Sequence, residues 1–106
     1  MKKCPYVQIC WTAASLDEAR TISRYLVKEG IVACANIIPG IESIFLWNDE
    51  LNVAQETKVI FKTKSEQFEK VKEMIEEKGK YEIPEILCLP IIEGNKEYLD
   101  WINESV

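Results

Sequence analysis

The chain has no histidine, and so lacks the commonest metal ligand and the commonest general base of proteins. Glycine and proline are scarce, four of each in 106 residues, so there is no Gly/Pro-rich linker and each such residue marks a local bend or stop. No apolar run approaches the length of a membrane span. Met1-Lys2-Lys3 is followed by Cys4-Pro5-Tyr6 rather than a long apolar stretch, so no secretory leader is expected. Positive charge is not in excess: the net charge is −5, and the lysines are interspersed with carboxylates. That balance argues against a nucleic-acid backbone or an anionic membrane surface as the main partner. The four cysteines, Cys4, Cys10, Cys34 and Cys88, form no C-x-x-C pair. Three of them sit in apolar strand-like runs, where a free thiol behaves as a small hydrophobe, so the expectation is reduced core cysteines in a cytoplasmic protein.

With 47% apolar residues the composition is that of an ordinary globular protein, read as one domain over residues 1–106 and small enough to profit from oligomerisation. One stretch stands apart. Ala33-Cys34-Ala35-Asn36-Ile37-Ile38-Pro39-Gly40-Ile41 reads as a strand that passes through a Pro-Gly break and continues as Glu42-Ser43-Ile44-Phe45-Leu46-Trp47. Proline in mid-strand removes a ladder donor, and glycine beside it marks a bulge or sharp bend. The strand is therefore bent rather than ended. A strand longer than its own sheet needs another partner, which points to assembly with further copies of the chain.

Val7, Ile9 and Trp11 alternate on one face of a first strand, Tyr6 to Thr12. Ser15-Leu16-Asp17-Glu18 has the form of a capping box, and Ala19, Ile22, Leu26 and Val27 then recur at helical spacing up to a stop at Gly30. The bent strand is read as Ile31 to Trp47, followed by a polar turn, Asn48 to Asn52, and a hairpin partner from Val53 to Lys62. Thr63 or Ser65 is expected to cap a second helix with an apolar stripe of Phe68, Val71, Met74 and Ile75, ended by Gly79. Ile86-Leu87-Cys88-Leu89-Pro90-Ile91-Ile92 is a continuous apolar run suited to a central strand. Asn95 is placed as the cap of a last helix, with Tyr98 and Trp101 in the core. The order predicts a ferredoxin-like βαββαβ sandwich of the α+β class with a C-terminal helix and a long bent hairpin. One sheet face is left for the third helix or neighbouring subunits to cover.

The motifs Ala33-Cys34-Ala35-Asn36-Ile37-Ile38-Pro39-Gly40, Trp47, Lys62-Thr63, Tyr81-Glu82-Ile83-Pro84-Glu85-Ile86, Leu89-Pro90, and Gly94-Asn95 with Tyr98-Leu99-x-Trp101 closely resemble the CutA family of divalent-cation-tolerance proteins. The resemblance spans nearly the whole chain, in order and at compatible spacings. It implies a compact homotrimer, similar in architecture to the PII signal-transduction proteins, in which one subunit's hairpin pairs with a neighbour's sheet. It also implies a role in tolerance of copper and other divalent ions, without an established catalytic reaction. Two departures accompany it. Gly79-Lys80 stands where the family usually has His-Pro, and a cysteine proposed as a metal ligand in some members falls on Trp11.

Tyr81, Glu82 and Glu85 form the leading candidate cluster, with Pro84 stiffening the segment between the carboxylates. Glu82 and Glu85 are oxygen donors that suit magnesium, calcium or manganese better than copper, for which the missing histidine also counts against binding. The alternative is that these carboxylates form subunit ion pairs with lysines such as Lys62. By family position Trp47, Glu56 and Lys62 line a cleft between subunits, where Lys62 either takes a small anionic ligand or neutralises Glu56. Asn36, Pro39, Gly40, Pro84 and Trp101 are assigned structural roles, and Cys34 is expected to be buried and inert. The leading function is a non-catalytic trimeric binding or sensing protein for divalent ions. A structural trimer that displays its surface to a protein partner is the alternative. A small phosphatase on the same fold is disfavoured, because Arg20 and Arg24 both lie on the first helix and no glycine-rich phosphate cradle follows the first strand.

Overall fold

The computed structural model describes residues 4–106. In chain order the elements are β1 (Tyr6–Ala13), α1 (Leu16–Lys28), β2 (Cys34–Trp47), β3 (Glu50–Lys64), α2 (Phe68–Lys78, entered through a short 3₁₀ turn, Ser65–Gln67), β4 (Ile86–Pro90) and α3 (Lys96–Ser105). The strands form one antiparallel sheet in the order β2-β3-β1-β4, the ferredoxin-like arrangement that the element order predicts.

Period-two alternation decides which sheet face becomes the core. Val7, Ile9 and Trp11 of β1 and Val59 and Phe61 of β3 are buried, and they pack with Ala19, Ile22 and Leu26 of α1 and Val71 and Ile75 of α2. Trp11 and Phe61 stack with ring centroids 6.2 Å apart. At the start of α1 the Glu18 amide donates to the Ser15 hydroxyl (3.1 Å), the first half of the expected capping box. The second half does not form. Glu18 turns its carboxylate away, and its Oε2 is buried without a partner. Gly30, at φ +68°, ends the helix: its amide bonds the Val27 carbonyl and the Ile31 amide reaches back to Leu26. Because the Ile31 and Val32 amides close this cap on the Leu26 carbonyl, the long strand begins at Cys34 and not at Ile31.

The bend in β2 is a register shift between Ile38 and Ile41, with Gly40 at φ +72°. The hairpin turn is shorter than its polar composition suggests. Only Asn48 and Asp49, at φ 52° and 63°, make the turn, and Trp47 pairs directly with Glu50. β1 covers β3 only from Thr57 to Lys64, so residues 50–56 of β3 and their β2 partners form an arm that projects beyond the sheet. Leu46 (71%) and Leu51 (70%) stand exposed on this arm with Ile44, Trp47 and Val53.

Three further expectations change. Neither Thr63 nor Ser65 caps α2 by a side chain; Thr63 is the last inward position of β3, and its hydroxyl donates to the Ile31 carbonyl at 2.7 Å. The apolar run after Pro84 is not central. Ile86–Pro90 pairs with β1 alone, which leaves Leu87, Cys88 and Leu89 exposed at the sheet edge. Asn95 is the N-cap of α3 as expected, through its carbonyl to the Leu99 amide rather than through its side chain. Ile102 anchors that helix, whereas Tyr98 and Trp101 (43% exposed) pack on each other outside the core, centroids 5.4 Å apart. Trp47 is 58% exposed and Trp11 only 1%.

Candidate functional site

Adjacent strands in register bring together side chains that are remote in sequence. Thr12 of β1 sits opposite Lys58 of β3, on the sheet face away from α1 and α2. Glu85, at the end of the segment entering β4, reaches both: Lys58 Nζ donates to Oε1 at 2.7 Å and the Thr12 hydroxyl to Oε2 at 3.1 Å. The Lys58 hydrogen bond holds the Glu85 carboxyl below its ordinary value against the opposing effect of partial burial, and Thr12 adds to the lowering. Two residues earlier on β3 the Glu56 carboxylate accepts a 2.6 Å hydrogen bond from the Tyr81 hydroxyl. Burial, that bond and the negative charges of Glu56 and Glu18 push the Tyr81 phenol up to about 12.

Thr12, Glu56, Tyr81 and Glu85 edge an open groove of about 500 Å³ between the hairpin arm and the Tyr81–Glu85 segment. Phe45 and Trp47 supply one wall, Ile83 the other, and Thr12, Glu56 and Glu85 the polar floor. A contiguous groove of about 320 Å³ is lined by Trp47, Asn52, Tyr81 and Glu82. Four of the sequence-nominated residues, Trp47, Glu56, Tyr81 and Glu85, therefore meet, and Glu82 borders the neighbouring space. Pro84 lies half-buried inside the segment that carries them.

Lys62 is elsewhere. It faces the same side of the sheet as Glu56 but six positions along β3, roughly 20 Å away, and its ammonium contacts the Asn36 side-chain oxygen and the Cys34 thiol (3.8 Å). Within the protomer it neither neutralises Glu56 nor pairs with Glu82 or Glu85; Lys58 takes the pairing role. Asn36 thus anchors Lys62, while Cys34 is half-buried with polar neighbours. Tyr98 lies against that thiol, and burial, followed by Cys34, raises its phenol. Among the described residues no three or more His, Cys, Asp or Glu side chains converge to hold a metal, and Glu85 already has Lys58 and Thr12.

Against known proteins, the model of the CutA1 divalent ion tolerance protein family matches residues 7–105. The chain belongs to this family. The CutA divalent-cation tolerance protein of Thermus thermophilus is 46% identical over 94 residues, 89% of this chain and 91% of the relative. Its counterpart in Archaeoglobus fulgidus is 42% identical over 95 residues, covering 90% and 92%. A solved structure of the divalent cation tolerance protein from Thermus thermophilus superposes with a TM-score of 0.91 at 42% identity, covering 95% of this chain and 98% of that one.

The end of α2 in this CutA1-family chain is tightly packed against Gly79. A Cβ at Gly79 would stand 2.6 Å from the Ile75 carbonyl oxygen, so a larger residue there requires the last helical turn to move. Thr12 and Lys58 are the site residues that sequence reasoning misses. Their only sequence signal is an outward position on adjacent strands, which acquires meaning once the β1–β3 register is known.

Proposed function

We propose that this CutA1-family chain is a non-catalytic binding protein of divalent-ion tolerance, assembled as a homotrimer, with its ligand in the groove between the hairpin arm and the Tyr81–Glu85 segment. The observation that carries the reading is the groove itself: a polar floor whose Glu85 is paired with Lys58 and whose Glu56 is paired with Tyr81, beneath apolar walls left open in the protomer. Its titratable groups favour binding over chemistry. Tyr81 is displaced far above neutrality and Glu85 below its ordinary value, so neither is poised as a general base near neutral pH. Assembly is supported by the projecting arm and the exposed edge of β4. Covering Leu46, Leu51 and Val53 against a neighbour contributes about 1.5–3 kcal/mol per side chain. Subunits packed in this way would also bring a second chain's donors to Glu56 and Glu82, the carboxylates of the groove region not held by a lysine. Such oxygen donors favour magnesium, calcium or manganese over copper.

Native mass spectrometry of the full chain with manganese, magnesium, copper and zinc tests this. The expected result is a three-chain mass carrying a repeated manganese or magnesium adduct that Glu56→Gln and Glu82→Gln remove. A bare three-chain mass in every metal overturns the ion ligand, and a stable single-chain mass overturns the assembly.

A further inference from the structure

Cys34 is the first residue of β2, and the β2–β3 register sets it directly opposite Lys62. Paired residues of an antiparallel ladder share a sheet face, so the backbone itself holds the thiol and the amine side by side. Lys62 Nζ stands 3.8 Å from Cys34 Sγ and also donates to the side-chain oxygen of Asn36, two residues along the same strand. The Cys34 thiol points to that oxygen as well, at 3.9 Å, in a contact open to solvent. Asn36 therefore gathers both groups at one point. Cys34 is half-buried, not the sealed and inert residue that its apolar neighbours in sequence suggest.

Among the described residues no other cysteine has a lysine nitrogen at its thiol. A cationic neighbour beside a partly exposed thiol is the setting in which cysteines react. An oxidised thiol is ordinarily resolved by a second thiol, and the fold places none beside Cys34. β3 stands between β2 and β1, so Cys10 on β1 is two strand spacings away, about 9–10 Å, and Cys88 on β4 is one spacing further. Cys4 precedes β1, beyond β3 as well. A disulfide needs Cα atoms within about 7 Å of each other. The nucleophile that does stand at Cys34 is the Lys62 nitrogen.

We propose that Cys34 and Lys62 are the two halves of a reversible oxidative cross-link, a sulfenamide bond between Sγ and Nζ formed under hydrogen peroxide. In the first step peroxide transfers one oxygen to the thiol, giving the sulfenic acid, and leaves as water. In the second, Lys62, after shedding its extra proton to solvent, attacks the sulfur with its amine lone pair. The sulfenic hydroxyl departs with one amine hydrogen as a second water. An S–N bond replaces one S–H and one N–H bond, the sulfur is oxidised by two electrons, and the peroxide is reduced to water. The flexible stem of Lys62 lets Nζ close the remaining gap to Sγ. A thiol reductant reverses the bond and restores both side chains. The link fastens the first rung of the β2–β3 ladder and removes a positive charge from that face of the sheet. It stands whether or not the groove beside Tyr81, at the other end of β3, takes an ion.

Peroxide treatment of the full folded chain, followed by intact mass and tryptic mapping, tests this. The expected product has lost two hydrogens, and its map contains one species joining the Cys34 peptide to the peptide that carries Lys62. Dithiothreitol is expected to return both peptides unmodified. A disulfide loses the same mass, so the identity of the joined peptides decides. Lys62→Arg keeps the positive charge beside Asn36 but removes the primary amine. It is expected to abolish the joined species and leave Cys34 as a sulfenic acid that dimedone captures. Cys88, exposed and without a lysine at its thiol, is the internal control and is expected to form no lysine link. The proposal is overturned if folded wild type yields Cys34 as a free thiol, as a sulfinic acid without the joined species, or in a disulfide. A joined species that persists in Lys62→Arg overturns it too.

Discussion

Tyr81 and Glu85 lie four positions apart, and their surroundings displace their titrations away from neutrality in opposite directions. With Tyr81 pushed up to about 12, the folded state holds the phenolic proton more tightly than the unfolded chain does. Its contribution to stability is complete below the ordinary value of 10.0 and is lost as pH rises through about 12. Ultraviolet titration of the wild type against Tyr81→Phe isolates this phenol and is expected to give a midpoint near 12, which Glu56→Gln lowers. Glu85 has the reverse sign. Its pairing with Lys58 stabilises the fold above the ordinary carboxyl value of 4.5, and that stabilisation is lost as pH falls through the lowered folded value. Because the pair is partly solvated, the contribution is small, at most about 1 kcal/mol. Denaturant melts at pH 6 and pH 3 are expected to show Lys58→Met losing more stability relative to wild type at the higher pH.

Elements were legible wherever a local cause fixes them. The alternation of Val7, Ile9 and Trp11 gives the buried face of β1, and the left-handed Gly30 gives the end of α1, both without tertiary information. The bend of β2 was legible for the same reason, since Pro39-Gly40 constrains the backbone directly. Nothing lies within 4 Å of a Cβ built on Gly40, so Gly40→Ala suffers no clash and isolates the cost of its positive φ. A loss of about 1–2 kcal/mol in denaturant melts is expected, with no change of fold. Composition misled where neighbours decide. Glu50-Leu51-Asn52 resembles a turn because an arm that projects beyond its sheet carries polar residues on both faces. The Ile86–Ile92 run resembles a central strand because continuous apolarity signals burial on both faces, and a single protomer covers only one. The Tyr81–Glu85 cluster was visible in the local Pro84 segment, whereas Thr12 and Lys58 depend on the register of strands remote in sequence. The displacement of Lys62 from Glu56 follows from strand rise, which separates residues six apart on one strand however similar their facing.

For the whole molecule, the contrast between the helix-covered part of the sheet and its uncovered arm and edge matters most. The helix-covered face is closed, while the hairpin arm and the β4 edge expose Leu46, Leu51, Val53, Leu87 and Leu89. Placing a charge on the arm, as in Leu51→Asp, is expected to leave the protomer fold intact, because Leu51 touches none of the core. The same change is expected to lower the oligomeric mass measured by light scattering, and an unchanged mass would show that the arm is not the contact. The three tryptophans extend this point to spectroscopy. Trp11 is sealed in the core, Trp47 stands on the arm and Trp101 on the last helix, so the chain carries reporters at different depths. If the arm is covered in the proposed assembly, separation of subunits without unfolding should open Trp47 to acrylamide while Trp11 stays blue-shifted and unquenched. Denaturation should expose all three, so that dissociation and unfolding, often merged in a single melting curve, can be read apart in this protein without any added dye.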